Sequence, residues 1–230
     1  MAKKRVSRSR KRDLNEPDEF ISFWSKLIEL ISEYKLIFSS ALGIMIFIII
    51  VITGMIYFIK KSEDKSFALL QRGITNYQAE LKNNAPEKAF LDAEKDLQRV
   101  MNKYSNRNGG KLASFIYANI CYTAKDYDKA IEIYKKSLIN FNDELFIKYL
   151  ILSGLGYSYK AKKDFKTAAR YFEAIASAPD YTIKDEALFN LGELYAAMGD
   201  HDKSRTAFKK ILSDHSDSMY IEIVKERVTG

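Results

Sequence analysis

The chain has 230 residues, a length that accommodates one or two domains. Its 10 glycines and 3 prolines are too few for a turn-rich β fold, and its 47% apolar content favours helices. The single cysteine, Cys121, excludes an intramolecular disulfide framework. The net charge of +7 is concentrated at the N-terminus, where the first twelve residues carry seven Lys or Arg and no acid.

Residues 1–35 are predicted to form a basic cytoplasmic tail with an amphipathic helix. The basic tail could bind anionic lipid head groups or nucleic acid, or it could stay solvated. Because a membrane span follows it, lipid is favoured, and we expect no specific nucleic-acid partner. After Pro17, apolar residues recur at helical spacing on one face, with Trp24 among them. This segment is either an interfacial helix anchored by Trp24 or an extension of the spanning helix.

Residues 36–59 are predicted to form one transmembrane helix. The 24 residues from Leu36 to Ile59 carry no charge, and a helix of this length covers about 36 Å, more than the ~30 Å hydrocarbon core of a bilayer. The run is too long and starts too late for a cleaved signal peptide, so we expect it to remain as an anchor.

The charge pattern predicts a cytoplasmic N-terminus and places the C-terminal domain across the inner membrane, in the periplasm. The short N-terminal tail counts in the positive-inside rule, whereas a long domain is translocated largely regardless of its charge. The local pattern points weakly the other way, because Lys60, Lys61, Lys65 and Arg72 follow the span closely.

Three later segments align on one two-helix pattern. The second and third follow L-x-x-L-G-x-x-Y, eight further residues, and then Ala or Ser four residues before Phe. The matching residues are Leu152, Leu155, Gly156, Tyr159, Ala168 and Phe172, then Leu188, Leu191, Gly192, Tyr195, Ser204 and Phe208, with a looser match at Tyr117, Ala118, Cys121, Ala130 and Tyr134. The glycine should let the second helix approach closely, and the aromatic ring should fill the space between the helices.

This pattern resembles the tetratricopeptide repeat. Residues 111–230 are therefore predicted to form three repeats and a C-terminal capping helix, and residues 60–110 a degenerate helix pair and a linker, with a loop at 106–110. The predicted fold class is all-α: a single N-terminal transmembrane helix followed by a tetratricopeptide-repeat α-solenoid. The arrangement resembles the membrane-anchored periplasmic repeat proteins described as ancillary subunits of the SecYEG translocon, the YfgM-like family.

The sequence indicates no enzyme, and we predict no catalytic, cofactor-binding or metal-binding residues. Cys121 takes the position of Tyr159 and Tyr195 in the apolar stripe of the first helix, so it is more often a buried core thiol than a nucleophile. His201 takes the helix-start position held by Tyr127 and Phe165 in the other repeats, which favours packing over chemistry. No phosphate-binding glycine loop or zinc-protease motif is present in the sequence.

Repeat arrays bind partners along the concave face made by their first helices. The positions predicted to point there are Phe115, Asn119, Tyr122, Ser153, Tyr157, Lys160, Phe189, Asn190 and Glu193. Aromatic residues among polar ones suit extended peptides or a partner helix. Tyr157, in the middle repeat, is the predicted anchor; the alternative is that it packs against a neighbouring helix.

We therefore expect a membrane-tethered interaction module. The resemblance implies that it holds newly translocated chains or periplasmic chaperones near the secretion translocon. One alternative is an assembly scaffold for a cell-envelope complex, with a fixed folded partner. The other is a targeting receptor whose repeats face the cytosol, which requires the N-out orientation.

Overall fold

The structure, a computed structural model, describes residues 19–83, 85–179 and 183–229. The basic tail predicted at the N-terminus lies outside the described residues up to position 18. The described chain is helical, with ten helices and no strand, so the predicted all-α fold class is confirmed. Its contacts divide it into two compact units, one ending at Lys60 and the other beginning at Lys61.

The first unit contains helix α1, Glu19–Glu33, and the first part of helix α2, Lys35–Lys82. Within the described residues, α2 alone is long and apolar enough to cross a membrane, judged by length and composition. Its apolar side chains up to Ile59 are exposed, as expected for a segment that is surrounded by lipid acyl chains. This helix is the candidate membrane anchor.

The second unit contains the rest of α2 and eight shorter helices. They are α3 (Pro86–Lys103), α4 (Asn108–Thr123), α5 (Tyr127–Asn140), α6 (Leu145–Ala161), α7 (Phe165–Ala176), α8 (Lys184–Ala197), α9 (His201–Asp214) and α10 (Ile221–Thr229). Each helix packs on the next in chain order from α3 to α10, and α4 also contacts α6. The pairs α4–α5, α6–α7 and α8–α9 are the three repeats predicted from the sequence, and α10 packs on α9.

Glycine and an aromatic ring set the helix spacing in the second and third repeats. A Cβ added at Gly156 would lie 2.7 Å from the Phe172 ring, and one at Gly192 would lie 2.3 Å from the Phe208 ring. Both rings are almost completely buried. The close approach predicted from the L-x-x-L-G-x-x-Y spacing is therefore confirmed, since any side chain at these glycines would collide with the ring.

The turn inside each repeat has one construction, repeated three times. The residue before the aspartate has a left-handed backbone, with φ of 64° at Lys125, 64° at Lys163 and 79° at Gly199. The next residue is Asp126, Asp164 or Asp200, whose amide bonds back to the carbonyl five residues earlier at 2.9–3.0 Å. The same aspartate accepts a hydrogen bond from the amide three residues later and so caps the following helix.

Replacing Lys163 with glycine should stabilise the protein by about 1 kcal/mol. A side chain in the left-handed region carries a steric cost that glycine avoids, partly offset by the greater freedom of glycine in the unfolded chain. Gly199→Ala is the matched opposite and should destabilise by a similar amount. Urea unfolding of both variants tests the pair; a loss of stability in Lys163→Gly would contradict this account of the turn.

The start of α4 differs from the sequence prediction. A loop was predicted at 106–110, but Asn108, Gly109 and Gly110 are helical, and both glycines are buried. A Cβ at Gly109 would lie 2.7 Å from the backbone carbonyl carbon of Ser66 in α2. The amide of Gly109 donates to Glu63 Oε1 at 3.3 Å. The glycines are therefore present because α4 begins in direct contact with α2, a contact that the local pattern does not reveal.

Candidate protein-interaction face

The nine predicted binding residues all lie on α4, α6 and α8, the first helices of the three repeats. We call this set the first-helix face; its members are Phe115, Asn119, Tyr122, Ser153, Tyr157, Lys160, Phe189, Asn190 and Glu193. Ser153 and Asn190 are buried, and the other seven are partly buried. The set is thus mostly partly buried, and three of its members, Tyr157, Lys160 and Asn190, are hydrogen-bonded to one another.

Tyr157 connects the second repeat to the third. Its ring meets the Phe172 ring edge-on, with centroids 5.3 Å apart. Its hydroxyl donates to Glu186 Oε1 at 2.5 Å and accepts from Asn190 Nδ2 at 3.0 Å. Burial, followed by the Glu186 carboxylate, raises the pKa of the Tyr157 hydroxyl, so the hydroxyl stays protonated and able to donate. The alternative of helix packing is realised in this contact with Phe172.

Lys160 completes this network one turn further along α6. Its Nζ donates to Asn190 Oδ1 at 3.0 Å. Asn190 also donates through Nδ2 to the backbone oxygen of Glu186, at 3.0 Å. Both ends of the Asn190 amide are therefore hydrogen-bonded. These bonds link α6, the first helix of the second repeat, to α8, the first helix of the third.

The first repeat holds its part of the face differently. Phe115 packs on Tyr134 with ring centroids 6.3 Å apart, and the Tyr134 hydroxyl donates to Asn119 Oδ1 at 2.5 Å. The Nδ2 of Asn119 has no partner among the described residues, and Asn119 is partly exposed. Asn119 therefore offers a pre-oriented donor of the kind that binds a peptide carbonyl. Tyr122 packs on Tyr127 at the end of the helix.

The capping helix and its preceding loop complete the face at the third repeat. Phe189 stacks on Tyr220, with centroids 4.5 Å apart and an angle of 15° between the rings. Glu193 Oε1 lies 3.5 Å from an amino group of Arg227 in α10. These contacts hold Phe189 and Glu193 from the C-terminal side.

One exposed aromatic residue on α6 was missed by the sequence analysis. Phe146 lies seven residues before Ser153, which places it on the same side of the helix, and 56% of it is exposed. Its position was predictable by extending the series Ser153, Tyr157, Lys160 backward by one heptad. It adds a large apolar group to a face that is otherwise mostly part-buried.

The described residues offer little chemistry outside this face. They contain no group of three or more His, Cys, Asp or Glu side chains that would hold a metal ion. His201 begins α9 as predicted, but its side chain is exposed rather than packed, because the first position of a helix need not face the core. Cys121 is fully buried, and burial raises the pKa of its thiol to about 11.

Cys121 should resist thiol reagents in the folded protein. A pKa near 11 leaves about a hundredfold less thiolate at pH 8 than an ordinary free cysteine has, and the thiolate is the nucleophile. Labelling in buffer should therefore be at least that much slower than in urea, and this single thiol reports on opening of the first repeat. Fast labelling without urea would contradict its core position.

Comparison with known proteins identifies the same repeats. Models of the tetratricopeptide repeat match residues 113–138, in α4 and α5, and residues 186–218, in α8 and α9. The fold and these matches define an α-helical protein with tetratricopeptide repeats, a fold that serves protein–protein interaction and has no catalytic role of its own. The chain is also similar to the uncharacterized protein ycf37 of Pyropia yezoensis, with 26% identity over 132 residues, covering 55% of this chain and 72% of that protein.

Proposed function

We propose that this protein is a membrane-tethered interaction module that binds an extended segment of a partner protein along the first-helix face. The observation that carries the proposal is that three stacked repeats carry partly buried aromatic and amide side chains on their first helices. Two of these repeats match tetratricopeptide models, and such repeats bind proteins. Side chains of these kinds supply apolar contact together with donors for a peptide backbone.

The face is prepared for binding before a partner arrives. The hydrogen bonds among Tyr157, Glu186, Asn190 and Lys160 fix the middle of the face. Less conformational entropy is then lost on association than with free side chains. Phe146 and the Nδ2 of Asn119 are the groups with unused binding capacity, so the partner segment should contact the first and middle repeats most strongly.

The proposed location is the periplasmic side of the inner membrane, near the secretion translocon. The charge-free part of α2 is the proposed anchor, and the basic N-terminal tail is retained in the cytoplasm. The partners would be newly translocated chains or periplasmic chaperones. This part of the proposal is supported by the likeness in arrangement to the translocon-associated repeat proteins.

A phosphatase fusion tests the topology. Alkaline phosphatase joined after Gly230 should be active, because the enzyme folds only outside the cytoplasm. An inactive fusion, together with cleavage of the C-terminal domain by protease added from the cytoplasmic side, would reverse the localisation. The four basic residues that closely follow the span favour that outcome, and it would make the cytosol-facing receptor the better assignment.

Site-specific crosslinking tests the face. A photoreactive residue at Phe146 should capture partner proteins, whereas the same residue at Ile139 should not. Ile139 is the matched control because it is an exposed aliphatic residue, at 80%, on α5, a second helix. Many captured nascent chains would indicate client binding, and one stoichiometric partner would indicate an assembly scaffold. Equal capture from both positions would contradict binding at the first-helix face.

A further inference from the structure

Helix α1 has two chemically different faces. At about 100° per residue, Lys26, Glu29 and Glu33 fall within an arc of roughly 60°, opposite Trp24. The remaining surface is largely apolar, and the exposed large side chains are Ile21, Phe23, Trp24, Ile28, Leu30 and Ile31. Phe23 is 61% exposed and Ile28 is 64% exposed. All six of these side chains are at least 41% exposed.

The position of α1 in the chain indicates what covers it. Only Tyr34 separates the end of α1 from the start of α2, and the charge-free run begins at Leu36. If α1 continued into the bilayer, its charged arc would enter hydrocarbon, which is strongly unfavourable. If α1 extended into water, its whole apolar face would be hydrated. The boundary between head groups and acyl chains satisfies both faces.

We propose that α1 lies in that boundary on the N-terminal side of the membrane, with Trp24 toward the acyl chains and the charged arc toward water. The proposal rests on the membrane anchor assigned above. The partner is the lipid surface itself. Because α1 carries one lysine and three glutamates, buried apolar area rather than attraction to anionic lipid drives the association. Zwitterionic phosphatidylcholine should therefore be sufficient.

Trp24 is the only tryptophan in the chain, so its fluorescence reports on α1 alone. The full-length protein is reconstituted in phosphatidylcholine vesicles that carry bromine on the acyl chain, either just below the head group or near the bilayer centre. We expect the shallow bromine to quench Trp24 at least twofold more than the deep bromine. Ile28→Lys should at least halve the shallow quenching, and Ser22→Lys, on the polar side, should leave it unchanged.

Three results would overturn the interfacial position. Stronger quenching by the deep bromine would place α1 inside the span. Full access of acrylamide to Trp24 without quenching by either lipid would place it in water. Protection from acrylamide without lipid quenching would mean that protein, such as a second copy of the chain, covers the face. Carbonate extraction tests the membrane anchor separately from the interfacial position. Release of the protein from the vesicles would contradict the anchor as well. Retention together with any of the three results above would contradict the interfacial position alone.

Discussion

Replacing Gly110 with alanine should destabilise the repeat domain by about 3 kcal/mol or more, at the upper end of overpacking effects. A Cβ there would lie 1.9 Å from the carbonyl oxygen of Tyr104 and 2.5 Å from its carbonyl carbon. Both atoms belong to the backbone at the end of α3, so no rotation of a side chain relieves the collision. The start of α4 would have to move away from α3.

Gly73→Ala is the control for this prediction. A Cβ at Gly73 would lie 3.3 Å from a terminal methyl of Leu97, which a small shift accommodates. Alanine also has a higher helix propensity than glycine, by about 1 kcal/mol, so this variant should be neutral or slightly stabilised. Urea unfolding of residues 61–230 measures both. Equal stability of the two variants would mean that α4 does not begin at Asn108 as described.

Replacing Tyr157 with alanine should lower the free energy of unfolding by about 2–3 kcal/mol and also weaken partner binding. The ring packs on Phe172, so its removal leaves a cavity. The variant also leaves the Glu186 carboxylate and the Asn190 amide without their shared partner. Because Tyr157 is both a predicted anchor and a packing residue, stability and affinity should fall together.

Tyr157→Phe separates the two roles of this side chain. It keeps the contact with Phe172 and removes only the hydroxyl, so the loss of stability should be about 1 kcal/mol. Measuring melting temperature and partner affinity on both variants shows whether the ring or the hydroxyl carries the binding. Unchanged stability in Tyr157→Ala would refute the packing on Phe172, and unchanged affinity would remove Tyr157 from the site.

The repeats were predictable because their determinants are local in sequence. Gly156 and Phe172 are sixteen residues apart and meet within one helix pair, so a fixed spacing is enough to predict the contact. The same logic holds for Gly192 and Phe208. The packing of the two helices within each repeat is therefore the part of this fold that a single sequence specifies most directly.

The start of α4 was not predictable in this way. Gly109 and Gly110 carry the composition of a loop, and glycine is unfavourable inside a helix. They nevertheless form the first turn of α4, which begins against Ser66 and the end of α3. A side chain has no room at these two positions, which explains why both are glycine. The contact with Ser66 joins residues more than forty positions apart, and nothing in the local pattern indicates it.

The candidate face was predictable as a set of positions but not as a set of contacts. Helical spacing within the repeats placed the nine residues on the first helices. It did not show that Asn190 is buried, or that Tyr157 bonds to Glu186 in the next repeat. Phe146 was missed because the repeat pattern begins only at Leu152, although the heptad spacing extends to it. Contacts between repeats depend on how neighbouring pairs stack, which the pattern within one repeat does not specify.

The turn inside each repeat has a consequence for where this chain tolerates insertions. Each turn has three residues, and its aspartate is used twice, as the end of one helix and the cap of the next. An added residue would force Asp164, for example, to give up one of these roles. The turns can therefore vary in sequence but not in length, whereas the connections between repeats already differ, with four positions at 141–144 and seven at 177–183. A tag or a fluorescent label should be inserted between repeats, never within one.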